Sequence, residues 1–331
     1  MTPIDRRALL GGGLGLLAAG KASAQVVPRN ARVVIGFPAG GSSDGTGRLI
    51  ADKLGQVLKQ TVVVDNRGGA GGLIGTDTVA KSPPDGYTLV QTGVGQNAVA
   101  HGINPKVPYD SVKDFIHLTQ VHSGPNVLVV HPSLPVKTVK ELIAEAKSKP
   151  GSMNYGSAGT GSTSHLAGEL FKTMAGVEML HIPYKGTALA MPDLISGKVD
   201  VLFDSLPTGL PHVKEGRLRA LGVTSAQRTN MVPGVPAISE VLPGYESTTW
   251  FGLFGPQGMR PELVTRVNTA AIQALSDPEV KDKLQRLGIE AIGTSPAQFT
   301  SMLATESALP AFSTTRRSGG TSGAISIVAL S

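Results

Sequence analysis

Residues 154–171 read NYGSAGTGSTSHLAGELF. This stretch runs from a short strand through a loop of glycine, serine and threonine into a helix, in which Leu166 and Leu170 share one face. The same order of strand, small-residue loop and helix occurs in residues 36–54, GFPAGGSSDGTGRLIADKL. The chain thus contains two matched strand–loop–helix units, and we expect their loops to face each other.

Strands and helices alternate along the rest of the chain. Apolar runs such as RVVIGFP, TVVVDN and YTLVQT are each followed by loops or by segments with helical periodicity. This order predicts an α/β fold with mostly parallel sheets. The run TTWFGLFGP, residues 248–256, is typical of a strand that returns to the first region. We therefore predict two α/β domains flanking a ligand cleft, with residues 25–123 and 226–308 in domain 1 and residues 124–225 in domain 2.

Three helix starts carry capping signals, in which a small polar residue precedes Glu or Gln by three positions. The expected pairs are Thr138 with Glu141, Ser276 with Glu279, and Ser295 with Gln298.

The first 24 residues have the pattern of an export signal. Arg6 and Arg7 precede an apolar stretch, and Ala22-Ser23-Ala24 fits the small-x-small cleavage rule. The paired arginines favour a twin-arginine signal, although a general secretory signal has a similar pattern. We expect cleavage near Ala24 and a periplasmic protein. The alternative is an amphipathic first helix of the fold.

Composition excludes several function classes. The net charge of +6 comes from scattered Lys and Arg, and aromatic residues are only 4%, so no nucleic-acid surface is expected. The chain has 0 cysteines, which excludes disulfides, thiolate metal sites and cysteine nucleophiles. Its 7 histidines are spread singly without an H-E-x-x-H motif, so no metal site is expected.

Cofactor motifs are weak or missing. The chain has neither a P-loop nor a G-x-S-x-G elbow. GVGQNA, residues 93–98, matches a dinucleotide fingerprint, but GLGLLA in the export signal matches the same pattern. We therefore expect no cofactor.

The two glycine loops are suited to an anion. Glycine lets backbone N–H groups approach a ligand closely, and a helix N-terminus adds unpaired N–H donors and partial positive charge. Hydroxyl donors are also available from Ser42, Ser43, Thr160, Ser162, Thr163 and Ser164. This pattern predicts a carboxylate site without a salt bridge. The alternative is that both loops are only turns and helix caps.

Three side chains near these units have two interpretations each. His165 is a candidate base or a residue that orients the helix start. Asp44 is a candidate site residue or a helix cap, which the helix dipole favours. Asp204, at the end of an apolar strand, is a candidate partner for a ligand amine or a cap for a neighbouring loop.

The sequence resembles the Bug family of extracytoplasmic solute receptors, the binding components of tripartite tricarboxylate transporters. The motifs include FPAGGSSDGTGRLIADKLG, VVVDNRGGAGGLIGTDTVAKSPPDGYTL, NYGSAGTGSTSHLAGELFK and LPGYESTTWFGLFGP, in family order from about residue 28 to 307. The resemblance implies a type II periplasmic-binding-protein fold. It also implies these ligand-binding residues: Phe37, Gly40, Gly41, Ser42, Ser43, Asp44, Thr92, Ser157, Gly159, Thr160, Gly161, Ser162, Thr163, His165 and Asp204.

The implied function is a receptor rather than an enzyme. It would capture a small organic anion, such as a carboxylate, an amino acid or an aromatic acid, and deliver it to membrane transporter subunits. We expect a monomer. The alternatives are an exported enzyme of similar architecture acting on a carboxylated substrate, and a ligand sensor for a signalling partner. Residues 309–331 depart from the family pattern after Ala308 and form a low-complexity tail, which we expect to be poorly ordered.

Overall fold

The computed structural model describes residues 29–307. The predicted export signal and the atypical tail lie outside these residues. Within them, none of the helices combines the length and the apolar character needed to cross a membrane.

Strands and helices alternate as the sequence predicts. The strands are β1 (Ala31–Ile35), β2 (Val62–Asn66), β3 (Thr88–Gly93), β4 (Phe115–Val130), β5 (Asn154–Ser157), β6 (Leu180–Pro183), β7 (Val201–Ser205), β8 (Arg219–Val223), β9 (Thr248–Pro256) and β10 (Glu290–Ala291). The helices are α1 (Ser42–Leu58), α2 (Leu73–Ala80), α3 (Ala100–Ile103), α4 (Val139–Ser148), α5 (Thr163–Ala175), α6 (Thr187–Ile195), α7 (Leu206–Lys214), α8 (Pro261–Ser276), α9 (Pro278–Arg286) and α10 (Pro296–Ser307).

The strands form one mixed sheet in the order β2-β1-β3-β9-β4-β7-β5-β6, and β8 and β10 also pair with β4. The outer strands pair in parallel, β1 with β2 and β3, and β5 with β6 and β7. Every pair that involves β4 or β9 is antiparallel. The α/β fold is confirmed, but the sheet is mixed rather than mostly parallel.

Strand β4 joins two lobes. Its residues 115–125 pair with β9, and its residues 126–130 pair with β7. Lobe 1 contains β1–β3, β9, β10 and the first part of β4, and lobe 2 contains β5–β8 and the rest of β4. The chain returns to lobe 1 at Thr248, which pairs with Pro125.

The return to lobe 1 occurs later than the predicted boundary at residue 226. Residues 226–247 pack against lobe 2, where Ile238 and Tyr245 are fully buried in its core. The Tyr245 hydroxyl donates to the Ala167 carbonyl at 3.0 Å. We therefore infer that lobe 2 comprises residues 126–247, because the apolar side chains of this segment have their burial partners there.

Each lobe has a core on both faces of its sheet. In lobe 1, Val33 and Ile35 pack with α1 and α8, while the intervening Val34 packs with Phe254 and Phe299 on the opposite face. Burial on both faces explains why strand sequences such as RVVI are continuously apolar rather than alternating. Lobe 2 is built in the same way, with separate buried clusters on its two faces.

Helix starts agree with the predicted capping signals in two cases. Thr138 accepts from the Glu141 N–H at 3.1 Å and caps α4. Ser295 Oγ accepts from the Gln298 N–H at 3.3 Å, and Gln298 Oε1 accepts from the Ser295 N–H at 2.9 Å before α10. The prediction for α9 is wrong by one residue.

At α9 the capping side chain belongs to Asp277 rather than Ser276. Its carboxylate accepts from the Glu279 N–H at 2.9 Å and the Val280 N–H at 3.4 Å. Ser276 is instead the last residue of α8, since the two helices follow each other directly.

Candidate functional site

A cavity of about 60 Å³ lies between the lobes. It is bounded by the starts of α1 and α5, by the turn after β3, and by the strands that link the lobes. Of the predicted site residues, it is lined by Phe37, Gly41, Ser42, Ser43, Ser162 and Thr163. Among the described residues that line it, none carries a charged side chain.

The start of α1 presents unpaired donors to this cavity. The capping position is Gly41, so no side chain accepts from the first-turn N–H groups. In the described part of the chain, the hydroxyls of Ser42 and Ser43 make no hydrogen bonds to protein atoms. Free N–H groups and the positive end of the dipole of this 17-residue helix are suited to an anion.

Asp44 is turned away from the cavity. Its carboxylate accepts from the Gly40 N–H at 3.0 Å, from Asn66 Nδ2 at 3.0 Å and from Arg48 Nε at 3.1 Å. Burial opposes ionisation, but the hydrogen bonds from Arg48, Gly40 and Asn66 outweigh it and lower the pKa of Asp44. Asp44 therefore holds the first glycine loop (residues 37–44) in place, and neither Asp44 nor Gly40 lines the cavity.

The second glycine loop (residues 157–165) satisfies most of its own polar groups. Ser162 caps α5 by accepting from the His165 N–H at 3.3 Å, and its hydroxyl donates to the Gly159 carbonyl at 2.6 Å. Ser164 Oγ accepts from the Ala158 N–H at 2.8 Å. The hydrogen bonds fix this loop in place, and the half-buried Thr163 lies beside the cavity.

Two histidines support the second glycine loop from behind. His165 Nδ1 accepts from the Gly161 N–H at 3.2 Å, which requires an unprotonated nitrogen. The His165 ring lies 4.3 Å from the ring of His181, whose other face stacks on Tyr155 at 4.9 Å. Burial, together with the neighbouring His165, lowers the pKa of His181 to about 4. Burial also lowers the pKa of His165, so both imidazoles are neutral at pH 7, and His165 Nδ1 fixes the position of the Gly161 N–H.

Ser157 and His181 form a serine–histidine pair with Oγ and Nε2 2.7 Å apart. The pair is not arranged for nucleophilic catalysis. Ser157 is fully buried, its Oγ already accepts from the Gly159 N–H at 3.0 Å, and it does not line the cavity. The sequence analysis does not identify His181 as a residue near the site. The signal that could have identified it is the parallel pairing of β5 with β6, which places His181 beside Tyr155.

The lobes touch through glycines. A Cβ atom added to Gly71 would lie 2.6 Å from the Thr160 carbonyl oxygen, and one added to Gly95 would lie 2.9 Å from that of Gly161. Both distances are below normal contact, so only glycine permits this approach. Gly159, Thr160 and Gly161 face a second, more open cavity of about 520 Å³ on the other side of this contact.

Two further predicted residues lie behind the cavity wall. Thr92 is buried and bonds to the Thr76 hydroxyl at 3.0 Å. Asp204 is fully buried and accepts from Thr208 Oγ1 at 2.5 Å, and burial raises its pKa to about 6. Asp204 does not line the cavity, and its Oδ1 has no hydrogen-bond partner among residues 29–307.

Acidic and histidine side chains are dispersed in residues 29–307, and no group of three or more of them is placed to hold a metal ion.

Comparison with known proteins agrees with this geometry. The family model described as tripartite tricarboxylate transporter family receptor matches residues 46–311. Protein BugT of Bordetella pertussis (strain Tohama I) is 36% identical over 287 residues, which is 86% of this chain and 88% of BugT.

Solved structures show the same fold. The chain is similar to Rpa4515 of R. palustris, solved with adipate, at a TM-score of 0.82 and 38% identity, covering 85% of this chain and 94% of that one. It is also similar to MatC from Rhodopseudomonas palustris, solved with bound malate, at a TM-score of 0.81 and 30% identity, covering 84% and 96%. The periplasmic-binding-protein fold is thereby confirmed. The chain belongs to the family of tripartite tricarboxylate transporter receptors.

Proposed function

We propose that this protein is a periplasmic receptor that captures a small organic carboxylate between its lobes and delivers it to membrane transporter subunits. One observation carries the proposal: the uncapped start of α1 faces a cavity whose described lining has no charged side chain. A carboxylate there is held by backbone N–H groups, by the helix dipole and by serine hydroxyls.

The ligands of the similar proteins support the same chemistry, because adipate and malate are both small carboxylates. Family membership supports transporter subunits as the partner. We infer that the protein acts as a monomer, since the cavity is complete within one chain.

A thermal-shift screen of organic acids tests the proposal. A ligand at 100 times its dissociation constant should add about 2.7 kcal/mol to the free energy of unfolding. Adipate, malate, aspartate and benzoate represent dicarboxylates, amino acids and aromatic acids. If no carboxylate raises the melting temperature while neutral solutes do, the proposed ligand class is wrong.

Peptide mapping of the exported protein tests the periplasmic location. The mature chain should begin at Gln25, with no peptide from residues 1–24. A cytoplasmic protein that retains its N-terminus would contradict this.

For the alternative of an exported enzyme of similar architecture, the group to test is the Ser157–His181 pair, although it is buried and lies outside the cavity. Product analysis after incubation with an acid that stabilises the protein separates the two functions. We expect the acid to be recovered unchanged. Turnover that is lost in Ser157→Ala would favour the enzyme.

A further inference from the structure

Asp204 lies directly behind the cavity, near the end of β7. The next residue, Ser205, lines the cavity, and so does Thr187 at the start of α6. The start of α6 is adjacent to the start of α1, because a Cβ atom added to Gly41 would lie 3.8 Å from Ala188 Cβ. A carboxylate bound at the start of α1 is therefore close to Asp204, although Asp204 itself does not line the cavity.

The carboxyl group of Asp204 is fully buried and only half paired. Its Oδ2 accepts from Thr208 Oγ1 at 2.5 Å, whereas Oδ1 has no hydrogen-bond partner among residues 29–307. A buried carboxylate that lacks hydrogen bonds or a cation tends to take up a proton. Burial accordingly raises the pKa of Asp204 to about 6, and the polar groups of Thr208, Thr187 and Ser205 lower it by less.

Within residues 29–307, no cation compensates the charge of Asp204. Asp204 lies on the face of β7 that α6 and α7 cover, opposite Val127 of β4. These two helices carry three titratable side chains: Asp193, His212 and Lys214. Asp193 is ion-paired with a lysine at 3.4 Å, and the other two lie in the last turn of α7, whereas Asp204 precedes its first turn. The ionisation of Asp204 is therefore sensitive to a charge that enters the cavity.

We propose that the binding of a carboxylate ligand is linked to the uptake of a proton by Asp204, so that the receptor holds its ligand more tightly at mildly acidic pH than at alkaline pH. The inference rests on the proposed function, which places the ligand carboxylate at the start of α1. The negative charge of the ligand disfavours the ionised form of Asp204. Because linkage is reciprocal, the protein with protonated Asp204 binds the ligand more tightly than the protein with ionised Asp204.

Calorimetric titration with adipate, malate and benzoate tests the proposal. These acids carry no amine and are largely ionised at pH 6.5, so a proton that is taken up goes to the protein. Titrations at this pH in phosphate and in imidazole, two buffers of different ionisation enthalpy, count the protons. For a roughly tenfold difference in affinity between the two forms of Asp204, we expect uptake of about 0.5 proton per bound acid, and affinity about fivefold higher at pH 6 than at pH 8.

Asp204→Asn keeps the shape and the acceptor for Thr208 but is neutral at every pH. It should abolish the proton uptake and bind the acid at pH 8 about as tightly as at pH 6. Asp200→Asn is the matched control, since Asp200 is a half-buried carboxylate of the same lobe that accepts from the Asn154 N–H and lines neither cavity. It should keep the wild-type uptake.

Thr208→Val gives a second test, which also serves if Asp204→Asn does not fold. It removes the hydroxyl that donates to Asp204 Oδ2 at nearly constant side-chain shape, so the pKa of Asp204 should rise. The pH at which affinity begins to fall should then move to a higher value. A purely structural role of Thr208 would instead change the affinity by the same factor at every pH.

The outcomes separate the two proposals. If an acid without an amine binds with no proton uptake, or if the folded Asp204 and Thr208 variants keep the wild-type uptake and pH profile, proton linkage at Asp204 is wrong and the receptor function stands. The same conclusion follows if only acids that carry an amine bind. If no carboxylate binds at any pH, both proposals are wrong.

Discussion

The two glycine loops have nearly the same composition, but they differ in how the start of the following helix is capped. In the first, the α1 start has no capping side chain, and Ser42 and Ser43 keep their hydroxyls free. In the second, Ser162 and His165 accept hydrogen bonds from backbone N–H groups of the loop itself. A glycine-serine loop before a helix therefore does not specify its own role. The role depends on whether the cap is supplied from within the loop.

The largest expected effect concerns the contact between the second glycine loop and lobe 1. Gly95→Val places a branched side chain where a single Cβ would already lie 2.9 Å from the Gly161 carbonyl oxygen. We expect affinity to fall at least a hundredfold, because the lobes no longer close. Small-angle scattering with saturating ligand should show a smaller radius of gyration for the wild type only.

Gly45→Val is the matched control, since an added Cβ at Gly45 meets no atom within 4 Å. The radius of gyration of this variant should decrease on ligand binding, as it does in the wild type. If the radius of gyration of Gly95→Val decreases as much as that of the wild type, the contact between Gly95 and the second glycine loop does not limit closure of the lobes.

The second prediction compares backbone donors of the two loops. Ser42→Pro and Thr163→Pro each remove one N–H at the first helical position, where proline is well tolerated. Gly41 and Ser162 already have the extended backbone that precedes proline (ψ 173° and 160°). We expect Ser42→Pro to weaken carboxylate binding about tenfold or more, and Thr163→Pro only a few fold, because a charge-assisted bond is lost at the uncapped helix.

Melting temperatures confirm that both proline variants fold, and calorimetry gives the affinities. Equal losses in the two variants would mean that both loops bind the carboxylate equally, and the contrast drawn above would fail.

The third prediction uses pH to test the histidine pair behind the second loop. Burial and the adjacent His165 lower the pKa of His181 from 6.5 to about 4. The unfolded chain therefore binds more protons between these values, and stability falls as the pH drops through that window. Glu169 and Lys172 also face this pair, with Glu169 opposing the shift and Lys172 adding to it.

His181→Gln keeps a hydrogen-bonding group near Ser157 but removes the titration. The drop in melting temperature from pH 7 to pH 4.5 should be smaller in this variant than in the wild type. An identical drop would show that acid destabilisation arises elsewhere, for example at buried His122, whose pKa burial also lowers to about 4.

The smallest effect is expected from single hydroxyls. Thr163→Ala and Ser42→Ala each remove one neutral donor, worth about 1 kcal/mol or roughly fivefold in affinity. The two losses should be similar, in contrast to the proline pair. A hundredfold loss in Thr163→Ala by calorimetry would make the second loop the principal carboxylate site.

Much of the fold follows from local sequence. Apolar runs, helical periodicity and glycine loops predict the α/β alternation and place Ser42, Ser43 and Thr163 beside the cleft. The mixed sheet was not predictable in the same way, because the antiparallel pairing of β9 joins residues more than 100 positions apart. The cap of α9 was misplaced because Ser276 and Asp277 are both good capping residues, and the length of α8 decides between them.

The parts of the site that sequence reasoning missed depend on distant partners. Asn126 lines the cavity from within β4, and its partners Thr224 and Thr249 are distant in sequence. Conversely, the sequence leaves Asp204 with two interpretations, a partner for a ligand amine or a cap for a neighbouring loop, because a carboxylate at the end of an apolar strand needs a partner. The structure pairs it with Thr208 from the next helix.

The position of β9 has a consequence for synthesis and export. This strand lies between β3 and β4, yet it ends only at Pro256. Until those residues have left the ribosome, the edges of β3 and β4 have no partner, whereas lobe 2 is already complete at residue 247. A nascent chain of this length therefore has a complete lobe 2 and an incomplete lobe 1. The unpaired edges of β3 and β4 in lobe 1 favour aggregation. Any chaperone that protects this protein before export should bind residues 88–125.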